Sequence, residues 1–428
     1  MTSSILYREW KQYGPDVDIS GLITTTPSLV LSPDGTRVAV YQKNGTKVRV
    51  FRVVGGNHDW IQYGSDITTS SGISDVSLSK DGTSIIIGES GYVEVTGDPP
   101  VPQNLGSVVT YDYQTTDWVQ YGFRIKGPPG KGLGHKIFLS HDGQYFTSNA
   151  SQTFLGATQQ GSIWCYRRAG AVWALEQTLV GDNNAAGFGI GYHFVSILND
   201  IKNVGSGINH FKLVATEPST KTVYGYSNTT YTNSLTRIGK SSNISIAAEP
   251  TYSLHGDIFI SQLSLDPSIL NLNLGIVGDG SGSPSGNLRF YYFSYNSTSS
   301  EFEYSNIGWN TVISPTRRYT VSGDGNSALM ISDYAGNIYI TNTGKKLFTG
   351  DFRSPIYSVS SIIDRYGFSF FGDYAATVNN NKLQVFAVVT KIGTLTKSID
   401  ETNPSNIIIR TTIIITSILL GLALLFIL

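Results

Sequence analysis

The chain has 428 residues and a formal net charge of -1, from 30 Lys and Arg against 31 Asp and Glu. No segment clusters Lys or Arg, so neither field nor patterning suits a phosphate backbone, and nucleic acid is not an expected partner. With 46 Gly, 25 Tyr, 19 Phe and only 14 % charged residues, the composition fits an all-β protein with many turns. The single Cys165 cannot form an internal disulfide, so the fold must rest on its core, as suits a reducing compartment.

The N-terminal MTSSILYREWK lacks the apolar run of a signal peptide. At Trp10 the chain reads WKQYGPDVDI, and near-copies follow as WIQYGSDI from Trp60 and WVQYGFRI from Trp118. Such self-similarity is the mark of a repeat architecture. A second landmark alternates with the first: LSPDG at Leu31 to Gly35, LSKDG at Leu78 to Gly82 and LSHDG at Leu139 to Gly143. An Asp-Gly pair between two alternating apolar runs signals a hairpin, because the turn needs a positive φ that Gly adopts without strain. Weaker versions at Asp200, Asp266, Asp324 and Asp364 bring the landmarks to seven, 40 to 66 residues apart.

Behind each landmark a second strand can be read, from RVAVYQ in the first unit to FSFFGDY in the last, and then a third, from KVRVFRV to KLQVFAV. A fourth follows in six units, from DWIQYG and DWVQYG to KLFTGD, and the seventh unit runs out. Four strands per unit, seven times over, predicts an all-β fold, a seven-bladed β-propeller, whose radial sheets leave only short protected edges. The strand missing from the last unit is available at Tyr7 to Ile19, ahead of the first landmark. The N-terminal strand is therefore expected to close the ring, with Trp10 beside Lys382 to Val388, in a propeller over residues 5–389. Within WIQYGSDI, period-two alternation places Trp60, Gln62 and Gly64 on one face and Ile61 and Tyr63 on the other. The aromatics are expected to pack between blades.

These W-x-Q-x-G-x-D-I and L-S-x-D-G signatures resemble propeller repeats of WD-repeat-like and integrin-alpha-like look, of the kind found in large DNA viruses and marine bacteria. The resemblance covers about Tyr7 to Val389 and is sharp in the first three units. It implies a propeller fold, and by analogy a structural membrane protein of a virus particle, lying between an internal membrane and a capsid. The calcium loops of several such repeats are not reproduced. GDGSGSPSG at Gly278 to Gly286 carries one carboxylate, Asp279, where calcium wants several oxygen ligands.

Chemistry-bearing patterns are sparse. The six histidines, His58, His135, His141, His193, His210 and His255, show no metal-ligand spacing. Ser140, His141 and Asp142 are the landmark turn itself, and a triad is recognised by geometry rather than adjacency. GPPGKGLGHK, Gly127 to Lys136, lacks the G-K-[ST] ending of a phosphate loop and leads into a strand. SPDGTR is one residue too tight for the S-x-D-x-G-x-x-W box of propeller sialidases. The first-strand segments VLSP, VSLS, IFLS and FVSI hold only apolar residues and serines. No catalytic, cofactor or metal residue is assigned, no cofactor is expected, and the chain is read as a non-enzyme. The rival reading is a membrane-bound propeller hydrolase or glycan-binding protein acting at the central channel.

Loop lengths are unequal. In a four-stranded blade, the second-to-third loop and the link to the next blade emerge on one face. The long Gly/Pro-rich segments, Ser90 to Gly106, Gly127 to Gly134, Ser151 to Gly161, Gly181 to Gly191 and Gly280 to Gly286, all belong to it. Function collects on long loops carried by a rigid scaffold, so this face is the expected site for a protein partner, a capsid or other membrane protein in the viral case. Tyr92, Pro99, Pro128, Lys131 and Phe188 are its candidate contacts.

Residues 390–406 are a Thr/Ser/Asp/Asn linker whose r.m.s. span as flexible coil is about 23 Å. Residues 407–428 follow as a transmembrane helix, with Arg410 at its head and Ile414, Leu419, Leu424 and Phe426 in its apolar run TTIIITSILLGLALLFIL. Eighteen helical residues reach about 27 Å, close to a thin bilayer core. Arg410, Lys391 and Lys397 on the N-terminal side place that side in the cytosol. The expectation is a single-pass, tail-anchored protein with a cytosolic propeller, its lipid contact confined to this helix.

Overall fold

A computed structural model describes residues 2–22, 27–97, 100–150, 154–155, 158–159 and 161–180, and beyond them Asp373, Asn381 and the strands given below. The chain divides into two compact units, residues 14–385 and residues 1–13 with 386–428.

The larger unit opens with three sheets built alike. In the first, Pro27–Leu31, Arg37–Gln42, Lys47–Val54 and Asp59–Gln62 pair antiparallel in chain order. In the second the order is Asp75–Leu78, Ser84–Glu89, Ser107–Gln114 and Asp117–Gln120, and in the third Leu133–Leu139, Tyr145–Ala150, Ser162–Ala169 and Val172–Val180. These are the four-strand units expected from the two landmarks. The Asp-Gly landmark builds the turn between first and second strands. Asp34 accepts from the Ser32 hydroxyl at 2.6 Å and the Thr36 N–H at 2.9 Å, and the Arg37 N–H donates to the Ser32 hydroxyl at 3.0 Å. Ser79 with Asp81 and Ser140 with Asp142 repeat the arrangement. Burial opposes ionisation of Asp81, but bonds from Thr83 and Ser79 outweigh it and hold its carboxyl below the usual range. Successive turns are tied together as well: the Asp34 N–H donates to the Lys80 carbonyl, and the Lys80 N–H to the His141 carbonyl at 2.8 Å. Burial, with Lys80 nearby, pulls the His141 imidazole down to about 4.

The other landmark joins neighbouring sheets. The Trp118 indole N–H donates to the Tyr63 carbonyl at 2.8 Å, and Asp117 accepts from the Ser65 N–H at 2.7 Å. Gly64, at φ 75°, has no room for a side chain: a Cβ there would lie 2.8 Å from Trp118 Cδ1. A looser version recurs at Gly122, where a Cβ would lie 3.2 Å from the Ala171 carbonyl oxygen and 4.0 Å from Trp173 Cδ1, and a tight one at Gly14, where it would lie 2.0 Å from the His58 carbonyl oxygen and 3.1 Å from Trp60 Cδ1. Each glycine of the motif therefore meets the tryptophan of the following sheet. Tyr63 stacks on Tyr113 at 3.7 Å and meets Trp118 edge-on at 5.8 Å. One apolar cluster spans the first and second sheets, from Val50 and Ile67 to Leu78 and Val109, and another the second and third, from Ile86 and Val108 to Phe146 and Trp173.

The alternation read from WIQYGSDI is corrected here. Trp60 and Tyr63 are both buried, while Ile61 and Gln62 are exposed. The strand ends at Gln62 and the backbone turns at Gly64, carrying Tyr63 inward while its N–H still bonds Val50 at 2.7 Å. Beyond the turn Ile67–Thr68 returns to pair with Val48 and Lys47, and Arg49 grips Asp66 with two bonds of 2.6 and 2.8 Å.

Further along, Val195–Asp200, His210–Glu217, Thr222–Ser227 and Thr236–Ser241 again pair in chain order. A fifth set follows: Tyr252–His255 and Ile258–Gln262 both pair with Asn271–Gly280, which pairs with Gly286–Asn296, and that strand with Glu301–Asn306 and Thr311–Ile313. The two sets, expected to be separate, share one parallel bridge at Lys240 and Glu301, because both outermost strands offer an open edge. Tyr319–Val321, Ala328–Ser332 and Ile338–Asn342 form a three-stranded sheet, and the expected strand KLFTGD lies outside the described residues. Last, Tyr366–Phe368 pairs with Tyr374–Asn379, so FSFFGDY, which runs from the end of one strand to the start of the next, is not the second strand. Val17–Asp18 pairs with Leu383 and Lys382, and Asp16 accepts from Gln384 at 2.9 Å, matching Ile67–Thr68 and Asp66 of the first sheet.

In the smaller unit, Thr2–Gln12 runs antiparallel to residues 386–396, with Trp10 opposite Val388. The strand Lys382–Lys397 thus continues eight residues into the segment expected to be a flexible linker, since Thr2 to Arg8 pair along it. Thr411–Ile415 adds a third strand, with Ile414 opposite Thr394, inside the segment expected to be helical. All five of its residues are β-branched, which suits an extended backbone. Arg410, Leu419, Leu424 and Phe426 lie outside the described residues, and among these residues no helix is long and apolar enough to cross a membrane.

Trp60→Ala is expected to cost about 3–5 kcal/mol, read as a fall in the urea midpoint, whereas Ile61→Ser next to it stays within about 0.5 kcal/mol. For His141 the unfolded imidazole titrates near 6.5 and the folded one lower, so the unfolded chain gains a proton first as pH falls. Stability should therefore drop between pH 6.5 and about 4, and a His141→Asn variant should show a shallower drop in the same melts.

Candidate functional site

The side of the first three sheets that bears the long loops can be built from their strand ends. Lys47–Val54, Ser107–Gln114 and the link from Tyr121 to Gly132 all start there. Between Glu89 and Ser107 the second sheet extends a hairpin, Val93–Thr96 with Val101–Asn104, that joins no larger sheet. Its base is pinned. The Tyr92 carbonyl accepts from the Leu105 N–H at 3.0 Å and the Gly106 N–H at 3.1 Å, and the Gly130 N–H donates to the Asn104 carbonyl at 2.6 Å.

Under the hairpin lies a buried ionic knot. Glu89 is fully buried, accepts from the Ser107 hydroxyl at 2.7 Å and the Ser71 N–H at 3.0 Å, and pairs with Arg124. Arg124 also donates to Ser107 at 2.7 Å and lays its guanidinium 4.6 Å from the Tyr92 ring centroid. Burial pulls the guanidinium below its ordinary value, though an arginine keeps its proton in proteins. Arg124 occupies the motif position held by Asp66 in the first sheet, so the repeat keeps an ion pair there while exchanging its sign. Lys126 of the same link pairs with Glu94 of the hairpin.

The sequence-derived contacts divide. Tyr92 is half-buried under Arg124 and supports the hairpin from below. Pro128 and Lys131 are half-buried in the adjoining loop, closed by a bond from the Lys131 N–H to the Pro128 carbonyl. Pro99 and Phe188 lie outside the described residues. The residues that sequence reasoning missed are the exposed apolar ones, Val93, Val95 and Val101 of the hairpin and Phe123 of the link. Phe123 had a signal: it stands where the other two copies have Pro15 and Ser65, so the repeat gives it no packing duty.

The first strands are not purely apolar, a correction to the reading from VSLS and IFLS. They start earlier, at Asp75 and Leu133, and so include Asp75, His135 and Lys136. Asp75 accepts from the Ile137 N–H at 3.2 Å and lies 3.7 Å from the Lys136 ammonium, tying the second sheet to the third. Burial lowers the His135 imidazole, with Lys136 and Lys43 adding to it. Burial pushes the Cys165 thiol up to about 12, which leaves it an inert packing group. Among the described residues no group of His, Cys, Asp and Glu is arranged to hold a metal.

No protein-family model and no curated protein matches the chain. Among solved structures it is similar to the WD40 repeats of RRP9, at 11 % identity and a TM-score of 0.51, over 89 % of this chain and 100 % of that one. The chain has a WD40-type β-propeller fold. The C-terminal WD40 domain of Sif2 is also similar, at 12 % identity and a TM-score of 0.44, over 88 % of this chain and 98 % of that one. In propeller terms the sheets described above are blades, and the hairpin and Phe123 stand on the side where inter-blade links emerge.

Breaking the buried pair with Glu89→Ala should cost about 3 kcal/mol, the lower end for a buried ion pair, because the Arg124 side chain keeps 20 % exposure. Denaturation of Glu89→Met with Arg124→Met together should recover most of that loss.

Proposed function

We propose that this protein is a non-enzymatic docking scaffold, a seven-bladed propeller held at a membrane by residues 407–428. The blade count is supported by the seven sets of strands in chain order. Ring closure by the N-terminal strand is supported by Gly14, which meets Trp60 as Gly64 meets Trp118, and by Val17, which faces Leu383 as Ile67 faces Val48. One observation carries the docking function: a self-standing hairpin and a phenylalanine, both apolar and exposed, on the long-loop side of tightly packed blades. The bilayer contact is supported by the sequence, in the uncharged run from Thr411 to Leu428 with Arg410 before it, and requires Thr411–Ile415 to leave its pairing with Gly393–Lys397. The cytosol is the setting for the propeller in this reading, and a virus particle's internal membrane, with capsid or membrane proteins as partners, is its concrete form.

A second reading, a hydrolase or glycan binder at the central channel, is favoured by Asp75, His135 and Lys136 on the first strands. Its mark would be saccharide binding that Asp75→Asn abolishes.

Expressed in cells, the full chain should stay in the membrane pellet after alkaline carbonate extraction, and a chain ending at Asn406 should be released. Extraction of the full chain would remove the anchor from this proposal. Crosslinking should recover the same partner proteins with both forms, and recovery of none would remove the docking function.

A further inference from the structure

The repeat lets one boundary between blades be compared with the next. Between the second and third blades, Arg168 lies over the Tyr121 ring, 4.1 Å from its centroid, and donates to both oxygens of Asp112 at 2.6 and 2.7 Å. Asp112 also accepts from the hydroxyl of Ser84, directly opposite it on the neighbouring strand, at 2.6 Å. The guanidinium there has both an aromatic seat and a carboxylate that matches its fork.

Between the first and second blades the same places are filled differently. Tyr113, opposite Trp118 as Arg168 is opposite Trp173, stacks on Tyr63 where Arg168 lies on Tyr121. Arg52 stands where Asp112 stands, each opposite the residue after the motif tryptophan, Ile61 and Val119. Arg37 is opposite Arg52, as Ser84 is opposite Asp112. Both of these guanidiniums lie 5.0 Å from the Tyr63 centroid. Two cations are thus neighbours on one face of the sheet, and like charges directly opposite each other cost stability. The third blade carries an arginine at the same place, Arg167, and there it pairs with Glu176.

The carboxylates of the surrounding turns do not take that part at the first boundary. Asp34 and Asp81 are each held by serine, threonine and backbone donors of their own landmark turn. Asp117 accepts from the N–H groups of Ser65 and Trp118, and Asp59 is exposed at the start of its strand. Lys80 is the remaining cation of these turns. Arg37 acts on the Asp81 carboxyl through space, yet neither Arg37 nor Arg52 forms an ion pair among the described residues. Arg37 spends one donor on the Thr36 hydroxyl at 2.9 Å, and Arg52 is exposed. The pair opens to solvent on the side of the landmark turns, away from the Val93–Asn104 hairpin. Four carboxylates nearby weigh against a doubly charged anion. A carboxylate brings a single charge and two oxygens that suit a guanidinium fork, and it is the group already used at the next boundary.

We infer that Arg37 and Arg52 form a subsite for a carboxylate from outside the chain, that of a small organic acid or of an acidic side chain on another protein. The second boundary fills the same subsite from within, with Asp112.

The test is thermal melting of the full chain in detergent micelles at neutral pH, in sodium acetate or in sodium chloride. At about 0.1 M salt, acetate in place of chloride should raise the midpoint of the native chain by roughly 2 °C more than it raises that of Arg52→Gln or Arg37→Gln. In chloride, Arg52→Gln should melt no lower than the native chain, because it removes a like-charge contact. Arg52→Asp should melt higher and no longer respond to acetate, because it gives Arg37 the carboxylate that Asp112 gives Arg168. Lys47→Gln, which removes an exposed cation elsewhere on the first blade, should keep the native response. A peptide with one Glu among glycines and blocked ends, if it gives the same rise at lower concentration than acetate, identifies a protein as the source, and equal potency identifies a free acid. An undiminished acetate response in Arg52→Gln, a larger rise with phosphate than with acetate, or a lower midpoint for Arg52→Asp in chloride would overturn the assignment.

Discussion

Each of the first three blades is located by a tryptophan seated beside the glycine of the preceding motif copy. The indole of Trp118 closes on Gly64 and bonds the Tyr63 carbonyl, so the distance between the two outer strands is set by a residue with no side chain and one with the largest. From that contact follow the burial of Tyr63, its stacking on Tyr113, and the apolar cluster shared by the first two blades. A Cβ at the glycine would push the indole away and loosen all three. Packing of this density, repeated across the first three blades, makes that part of the scaffold stiff, because a small displacement at one contact is felt by every neighbour.

A stiff scaffold changes what its loops can do. The hairpin after Glu89 has no second sheet to rest on, and a free two-stranded ribbon would lose its shape. Here the ribbon is held from beneath by Tyr92, Arg124 and Glu89, and from the side by Lys126. The ionic knot is buried, so its contribution lies in fixing position more than in net stability. The result is an apolar face presented at a defined place, which is the requirement for recognising a partner with little ordering cost.

Much of this was legible in the sequence. The two landmarks gave the strand order of the first three blades, and the early copy at Trp10 pointed to the pairing with Val388. Phe123 could be singled out by comparing copies of the motif. Other features were not legible. Tyr63 broke the alternation because the backbone turns at Gly64, and a period-two pattern assumes that the strand goes on. FSFFGDY was misplaced because it joins the end of one strand, at Phe368, to the start of the next, at Tyr374. The hairpin hid in a Gly/Pro-rich stretch whose two valine-containing runs are each only four residues long.

The sequence by itself determined the repeat, since hydrogen-bonding turn residues and alternating apolar runs act over a few positions and leave their signature in local order. It also determined which residues the first three blades share. Only the tertiary structure decided what those shared residues touch: that the motif's glycine serves the next blade's tryptophan, that Arg124 can stand in for Asp66 because Glu89 waits across from it, and that Val95 and Phe123 face outward. The physical reason is distance along the chain. Partners such as Gly64 and Trp118 are joined across sheets, and no local pattern records which of many similar residues will meet.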